Sequence, residues 1–214
     1  MLITFSGLDG AGKSTLIRLL KASLERRDVR ATVSHMYRDV GVYALGKAAL
    51  EKLSKRRHGS RRRETAAGAS LPGKGFAQSM VWNKTLRMFV YPLDLLIFVV
   101  YRLYVEGMKG HVLIMDRYFY DTLVDVSAER GGRIARLLAR LTPTPSVPVL
   151  LDISPCAAFA RKGEHSMGSL ERKREAYKYV FPNGGRGLML EGDKDIRENL
   201  LAVEAVVSER MAGR

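Results

Sequence analysis

The sequence predicts an α/β fold, a five-stranded parallel sheet flanked by helices, and three observations predict it. Five short apolar segments alternate with stretches of helical periodicity along the 214 residues, the order that builds a parallel sheet through crossover helices. Inner segments such as Val112-Leu113-Ile114-Met115 and Val149-Leu150-Leu151 are apolar without alternation, as strands covered on both faces are. The first segment, Leu2-Ile3-Thr4-Phe5, runs straight into a glycine-rich turn and then into a helix, the strand, loop and helix order of a phosphate-binding loop.

That turn reads Gly7-Leu8-Asp9-Gly10-Ala11-Gly12-Lys13-Ser14-Thr15, and Gly7, Gly12, Lys13 and Ser14 satisfy G-x-x-x-x-G-K-[ST]. The glycines let the backbone wrap a polyanion with its N–H groups inward, and the start of the following helix adds partial positive charge. Lys13 is the residue to hold the outer phosphates. Ser14 offers a hydroxyl of the kind that ligates the Mg2+ accompanying ATP or GTP. A glycine turn without a ligand has no need of lysine followed by serine.

The remaining elements follow in order. A helix over about 14–27 carries Leu16, Leu19, Leu20 and Leu24 on one face. A second strand covers 31–36, the stretch Tyr37-Arg38-Asp39-Val40-Gly41 follows, and a helix is expected over 44–55. The run Lys55-Arg56-Arg57-His58-Gly59-Ser60-Arg61-Arg62-Arg63 and the small-residue tract 65–75 read as loop. A helix is expected to begin near Trp82, and Pro92 with Asp94 marks the entry to another over 95–108. The strand at 112–115 ends on Asp116. Residues 128–141 read as a basic helix, three prolines lead into a strand over 149–152, and helices cover 157–162 and 169–180. The polar break Gly163 to Gly168 between those two helices suggests a lid, and a strand at 187–191 and a helix over 195–211 close the chain.

A composition of 46% hydrophobic and 27% charged residues fits one globular domain over 1–214. Cys156 is the only cysteine and the N-terminus is a strand where a leader would be basic and then apolar, so a reducing cytoplasm is expected. The stretch Leu86 to Val105 approaches membrane-spanning length, yet Arg87, Pro92, Asp94 and Arg102 interrupt it, so it reads as a buried helix and not a transmembrane one. The net charge of +14 exceeds what nucleotide binding requires, and its concentration at 55–63 points to contact with an anionic partner, a phosphate or a membrane surface at which the protein sits peripherally. A solvated loop is the alternative. No aromatic residue interleaves the run, which disfavours nucleic acid.

The second motif is Met115-Asp116-Arg117-Tyr118. Ligands of open α/β sheets collect outside the carboxyl ends of the strands, where Asp116 can hold magnesium or its water. Arg117 beside it can neutralise charge on a group in transfer. The absence of an Asn-Lys-x-Asp motif argues against a GTPase.

Five segments in order resemble the thymidylate kinase family of nucleoside monophosphate kinases, along nearly the full length. They are the loop GLDGAGKST, the stretch YRDVGVYALG from Tyr37 to Gly46, MDRY, LDISPCAAFAR with LERKREAY around the lid, and LEGDKD from Leu190. The resemblance implies a P-loop kinase fold with a lid at 161–172, ATP and Mg2+ as cofactors, and a small phosphorylated acceptor. It implies that Gly7, Asp9, Gly10, Ala11, Gly12, Lys13, Ser14 and Thr15 hold the nucleotide, and that Asp9 joins Ser14 and Asp116 in placing the metal. Arg38, Arg102 and Tyr118 would meet the acceptor. Burial after an apolar run independently gives Arg102 need of an anion or carboxylate. Gly10 stands where some members carry a catalytic arginine, so Arg161 and Arg172 of the lid are the candidates to serve with Lys13 and Arg117, Lys162 being weaker. A homodimer is a further expectation.

The departures gather at the acceptor side. Phe119-Tyr120-Asp121-Thr122-Leu123-Val124-Asp125-Val126 stands where the family reads thymidine, Val40 and Val42 replace a proline and a glycine, and 52–81 is a basic insertion. Phosphoryl transfer to a nucleoside monophosphate is the first reading. The same chemistry on a sugar phosphate or polyprenyl-linked acceptor is the second, and a non-catalytic nucleotide-binding or membrane-surface protein the third.

Overall fold

A computed structural model describes residues 1–36, 38–42, 44, 84–130, 132–163, 166–181 and 187–213. The helix expected at 44–55, the basic run 55–63, the tract 65–75 and the helix start at Trp82 lie outside the described residues, except that Ala44 itself is helical. The chain divides into two compact units, Met1–Met36 with Arg102–Arg214, and Tyr37–Tyr101.

In the larger unit five strands form one all-parallel sheet in the order β2-β3-β1-β4-β5. The strands are β1 (Leu2–Gly7), β2 (Ala31–His35), β3 (Val112–Asp116), β4 (Val147–Asp152) and β5 (Leu188–Glu191). The α/β class expected from the alternating pattern is therefore the fold observed. Every residue of β1 is buried, as are all but the last of β3 and β4, which is why β3 and β4 carry no polar alternation. Phe5 pairs with Asp116 and Gly7 with Leu151. The register brings the ends of β1, β3 and β4 to one edge of the sheet, where the loops that follow them meet.

Helix α1 (Lys13–Arg26) buries Leu16, Ile17, Leu20 and Leu24, each contributing about 1.5–3 kcal/mol by removal from water. β4 starts two residues before the expected Val149, with Pro148 inside it. Pro148 is tolerated because pairing with β5 begins only at Val149, so its missing N–H faces no partner there. Helix α5 (Pro155–Lys162) is capped by Ser154, whose hydroxyl accepts from the Ala157 amide, and ends at Gly163 with φ 62°. Helix α6 (Met167–Val180) follows, and α7 (Ile196–Ala212) is capped by the Asp195 carboxylate.

Three expectations are corrected. The helix expected at 95–108 and the described part, 84–88, of the one expected from Trp82 belong to a single helix, α2 (Lys84–Leu103), continued by a π-helical turn at Tyr104–Met108. Pro92 and Asp94 lie within it instead of opening a helix. Asp94 is buried and accepts the Val42 amide at 2.8 Å, and a Cβ on Gly41, at φ 113°, would lie 2.7 Å from that carboxylate oxygen. Second, α2 is not buried all round: Tyr91, Asp94 and Phe98 are covered, but Leu93, Leu96, Val100 and Leu103 are 49–65% exposed. Apolar composition identifies a helix without saying which faces the chain covers. Third, the basic helix expected at 128–141 is two, α3 (Phe119–Arg130) and α4 (Gly132–Leu141). Gly131-Gly132 interrupts the periodicity there. Among the described residues no helix is long and apolar enough to cross a membrane.

Candidate active site

The glycine-rich loop follows β1 and turns with positive φ at Gly7, Gly10 and Gly12. A Cβ on Gly7 would stand 2.4 Å from Leu151 O, which excludes a side chain there, and one on Gly10 would be crowded at 3.3 Å from Ala158 O, while the positive φ strains a side chain at all three glycines. Helix α1 opens at Gly12 with no side-chain cap. The amides of Lys13 and Ser14, at its first two positions, precede the first intrahelical bonds, those of Thr15 and Leu16 to Gly12 O, and are suited to an anion.

Lys13 is buried, and its ammonium donates to Gly7 O and Leu8 O at 2.8 Å each. Burial lowers its pKa from the ordinary lysine value, Asp121 opposes that shift, and Arg117 adds to it. The cation is thus held in the loop by carbonyl dipoles and not by a direct carboxylate bond.

At the tip of β3, Asp116 Oδ2 accepts from the Ser14 hydroxyl at 3.3 Å. The expected pair of metal-placing residues is thereby brought together. Arg117 follows with φ 65°, an uncommon conformation for a side chain of its size. Its guanidinium donates to Asp9. For Arg117, burial works against the charge, but the carboxylates of Asp121 and Asp9 outweigh it and raise the pKa. For Asp9, burial acts upward, but Arg117 and then Lys13 hold the carboxyl below its usual value of 3.8.

This last shift gives an acid-stability prediction. A carboxyl depressed in the folded state contributes stability that is complete above its unfolded pKa and lost as pH falls through the folded one. Asp9→Asn should flatten the fall in stability between about pH 5 and pH 2, and lower stability at neutral pH by leaving Arg117 short of an anion. Urea titrations of both proteins across that range check it.

Arg161, at the end of α5, donates to Gly10 O, Gly192 O and Asp193 at 3.2–3.3 Å, and so lies against the loop. Gly192, within the Leu190 to Asp195 segment, approaches the loop too: a Cβ there would be 3.3 Å from Ala11 O. Arg172 is exposed on α6 beside Gly168, with no bond to the loop among the described residues. Arg38 is paired with its neighbour Asp39 at 3.1 Å. Arg102 donates from Nε to Glu106 at 2.8 Å, and Glu106 also receives the Met1 ammonium at 3.0 Å, which supplies the carboxylate that burial of this arginine calls for. Tyr118, expected at the acceptor, is instead fully buried, with its hydroxyl donating to Pro143 O at 2.6 Å.

The stretch Phe119 to Val124 is buried throughout and forms the first turns of α3. Asp121 accepts from the Ser6 hydroxyl at 2.8 Å, the Tyr118 amide at 2.8 Å and the Tyr177 hydroxyl at 2.7 Å, while Asp125 pairs with Lys173 at 3.0 Å. Burial, then Asp121, raises the Tyr177 pKa well above that of an ordinary tyrosine. Between them and Asp9, Arg117 and Leu170 is a cavity of only about 10 Å³, no more than one water. Sequence reading passed over Ser6 and Tyr177 and took Asp121 only as part of an altered stretch. Asp121 and Asp125, carboxylates at i, i+4 among Phe119, Tyr120, Leu123 and Val124, were the available signal.

The residues present fit ATP with Mg2+: an uncapped helix start and a lysine in a glycine-rich loop of positive φ suit phosphates, and a hydroxyl with a carboxylate suits a hard cation. Among the described residues no cluster of three or more His, Cys, Asp or Glu could hold a metal ion. Magnesium at such a site takes one or two protein oxygens and draws its other ligands from water and phosphate.

No protein-family model matches the chain. Curated relatives align over its whole length and are thymidylate kinases by name. That of Xanthomonas euvesicatoria pv. vesicatoria (strain 85-10) is 25% identical over 225 residues, covering 100% of this chain and 87% of the relative. That of Xanthomonas oryzae pv. oryzae (strain PXO99A) has the same identity and coverage. The enzyme of Xanthomonas campestris pv. campestris (strain B100) is 24% identical over 229 residues, covering 99% of this chain and 86% of its own. The chain is thus similar from end to end to thymidylate kinases, at low identity.

Proposed function

We propose that the chain is an ATP- and Mg2+-dependent phosphotransferase that moves the γ-phosphoryl group to a small phosphorylated acceptor, a nucleoside monophosphate. The observation that carries the proposal is the meeting of Ser14, on the first turn of α1, with Asp116 at the tip of β3, each next in sequence to a buried cation, Lys13 and Arg117, and the full-length likeness to thymidylate kinases supports it.

In this reading the loop from Gly7 to Thr15 binds the nucleotide phosphates, and Lys13 exchanges its carbonyl partners for phosphate oxygens. Ser14 and Asp116, with Asp9 nearby, hold the metal. Magnesium, when bound, neutralises phosphate charge that would otherwise repel the incoming nucleophile. Arg117 and the lid arginines Arg161 and Arg172 balance charge on the group in transfer, and the rate enhancement comes from positioning and electrostatics with no covalent step on the protein. Arg38 and Arg102 hold the acceptor phosphate; with Nε of Arg102 directed at Glu106, its terminal nitrogens take that role. Intact Lys13, Ser14, Asp116 and Arg117 argue against a purely non-catalytic protein.

The acceptor differs from dTMP in the second reading, a sugar phosphate or polyprenyl-linked molecule. The observation favouring it is the buried Phe119 to Val124 stretch, which presents no surface for a base. The basic run 55–63 would draw an anionic acceptor or surface, and the exposed apolar side of α2 supports association of two copies.

The test is ADP release with a panel of nucleoside monophosphates, sugar phosphates and a polyprenyl phosphate. Turnover with a nucleoside monophosphate, dTMP being a poor one, is the expected result. ADP release no greater with any acceptor than without one would overturn phosphoryl transfer, and efficient use of dTMP would overturn the altered acceptor site.

A further inference from the structure

We propose that Asp121 is a positioning residue for phosphoryl transfer, holding the phosphate loop, the Arg117 turn and the helix behind the lid in one arrangement; the role in transfer rests on the phosphotransferase reading above. Three donors from three parts of the chain converge on its carboxylate. The Ser6 hydroxyl, one residue before Gly7, and the amide of Tyr118, one residue after Arg117, both donate to Oδ2 at 2.8 Å. The Tyr177 hydroxyl, from α6, donates to Oδ1 at 2.7 Å. Each donor adjoins a working part. Ser6 is the root of the loop, Tyr118 follows the arginine of the strand tip, and α6 carries Arg172 and begins after the lid segment.

Asp121 is only 6% exposed and Tyr177 likewise. An ionised carboxylate so placed needs a full set of donors and nearby cations to offset its lost hydration. The donors are those named, and the cations that its charge faces are Lys13 and Arg117, the two that the transfer uses. Removal of one donor therefore has two consequences. The carboxylate becomes partly unsatisfied, and the helix loses a fixed point of attachment to the loop. The neighbouring ion pair of Asp125 with Lys173 joins the same two helices.

The simplest variant is Tyr177→Phe, which deletes one hydroxyl and keeps the buried ring; Ser6→Ala deletes the donor at the other end. Each is expected to lower kcat about tenfold while the KM for ATP stays within about twofold, since misplacement of reacting groups costs rate more than ground-state binding. Val207→Ala, a buried truncation on α7, is the control for lost stability and should leave kcat unchanged below its melting temperature. Asp121→Asn should be the most severe, and the two donor variants carry the test where it does not fold. A second readout needs no turnover. Amide exchange of 167–180 should slow on addition of Mg-ATP in the wild type and respond much less in Tyr177→Phe at equal nucleotide occupancy. Wild-type kcat in both donor variants, or a loss of kcat matched by Val207→Ala, would overturn the proposal. If the wild-type protein turns over no acceptor, the phosphotransferase reading and the role in transfer fail together. The structural tie is then decided by exchange alone, and equal nucleotide-induced protection in wild type and Tyr177→Phe overturns it.

Discussion

Replacing Lys13 by alanine is expected to lower turnover by about 10²–10³-fold with the fold retained, the scale on which loss of one fixed charge-stabilising donor acts. The ammonium is already desolvated and held by Gly7 O and Leu8 O at 2.8 Å, so little reorganisation separates it from a phosphate bound in the same loop. A desolvated cation also acts through a weaker dielectric than a surface lysine, which is why a large share of the effect should fall on kcat. The substitution leaves two carbonyl acceptors without their partner, at about 1–3 kcal/mol for each that stays buried and unsatisfied. Circular dichroism and thermal melting should therefore show a native but less stable protein. Near-normal kcat for Lys13→Ala with a true acceptor would reject the assignment of this loop.

Asp116→Asn is expected to cost about two orders of magnitude in turnover and to raise the Mg2+ concentration needed for half-maximal rate. The amide preserves the size of the side chain and can still meet the Ser14 hydroxyl, now at 3.3 Å from the carboxylate. What it removes is negative charge, so packing and charge are separated in one substitution. Rate measured against Mg2+ at saturating ATP and acceptor distinguishes the outcomes. An unchanged metal requirement with full kcat would mean that Asp116 only orders Ser14.

Much of the site was legible because its chemistry is local in sequence. Gly7, Gly12, Lys13 and Ser14 lie within one turn, and the loop needs positive φ where the glycines stand, so spacing and residue type carry the geometry together. Asp116 and Arg117 were found in the same way, at the end of a strand whose unbroken apolar character marks it as central. Arg161 lies against the loop through Gly10 O, whereas Tyr118 went into the core, because an aromatic ring gains more from burial when its hydroxyl finds an acceptor such as Pro143 O. The helix around Pro92 was misread for a related reason: proline usually ends a helix, but the flanking turns continue through it here.

The parallel α/β class, the strand-loop-helix that opens the chain, and the acidic and basic residues at the tip of β3 could be read from the residues alone. All of these depend on neighbours a few residues away. Packing between distant segments instead set which side of α2 is covered and turned the stretch after Tyr118 inward. It alone joined Asp121 to Ser6 across 115 residues and to Tyr177 across 56. The physical reason is that a buried charge is permitted only where distant groups supply its hydrogen bonds and counter-charges, and periodicity along the chain carries no record of which distant groups those are.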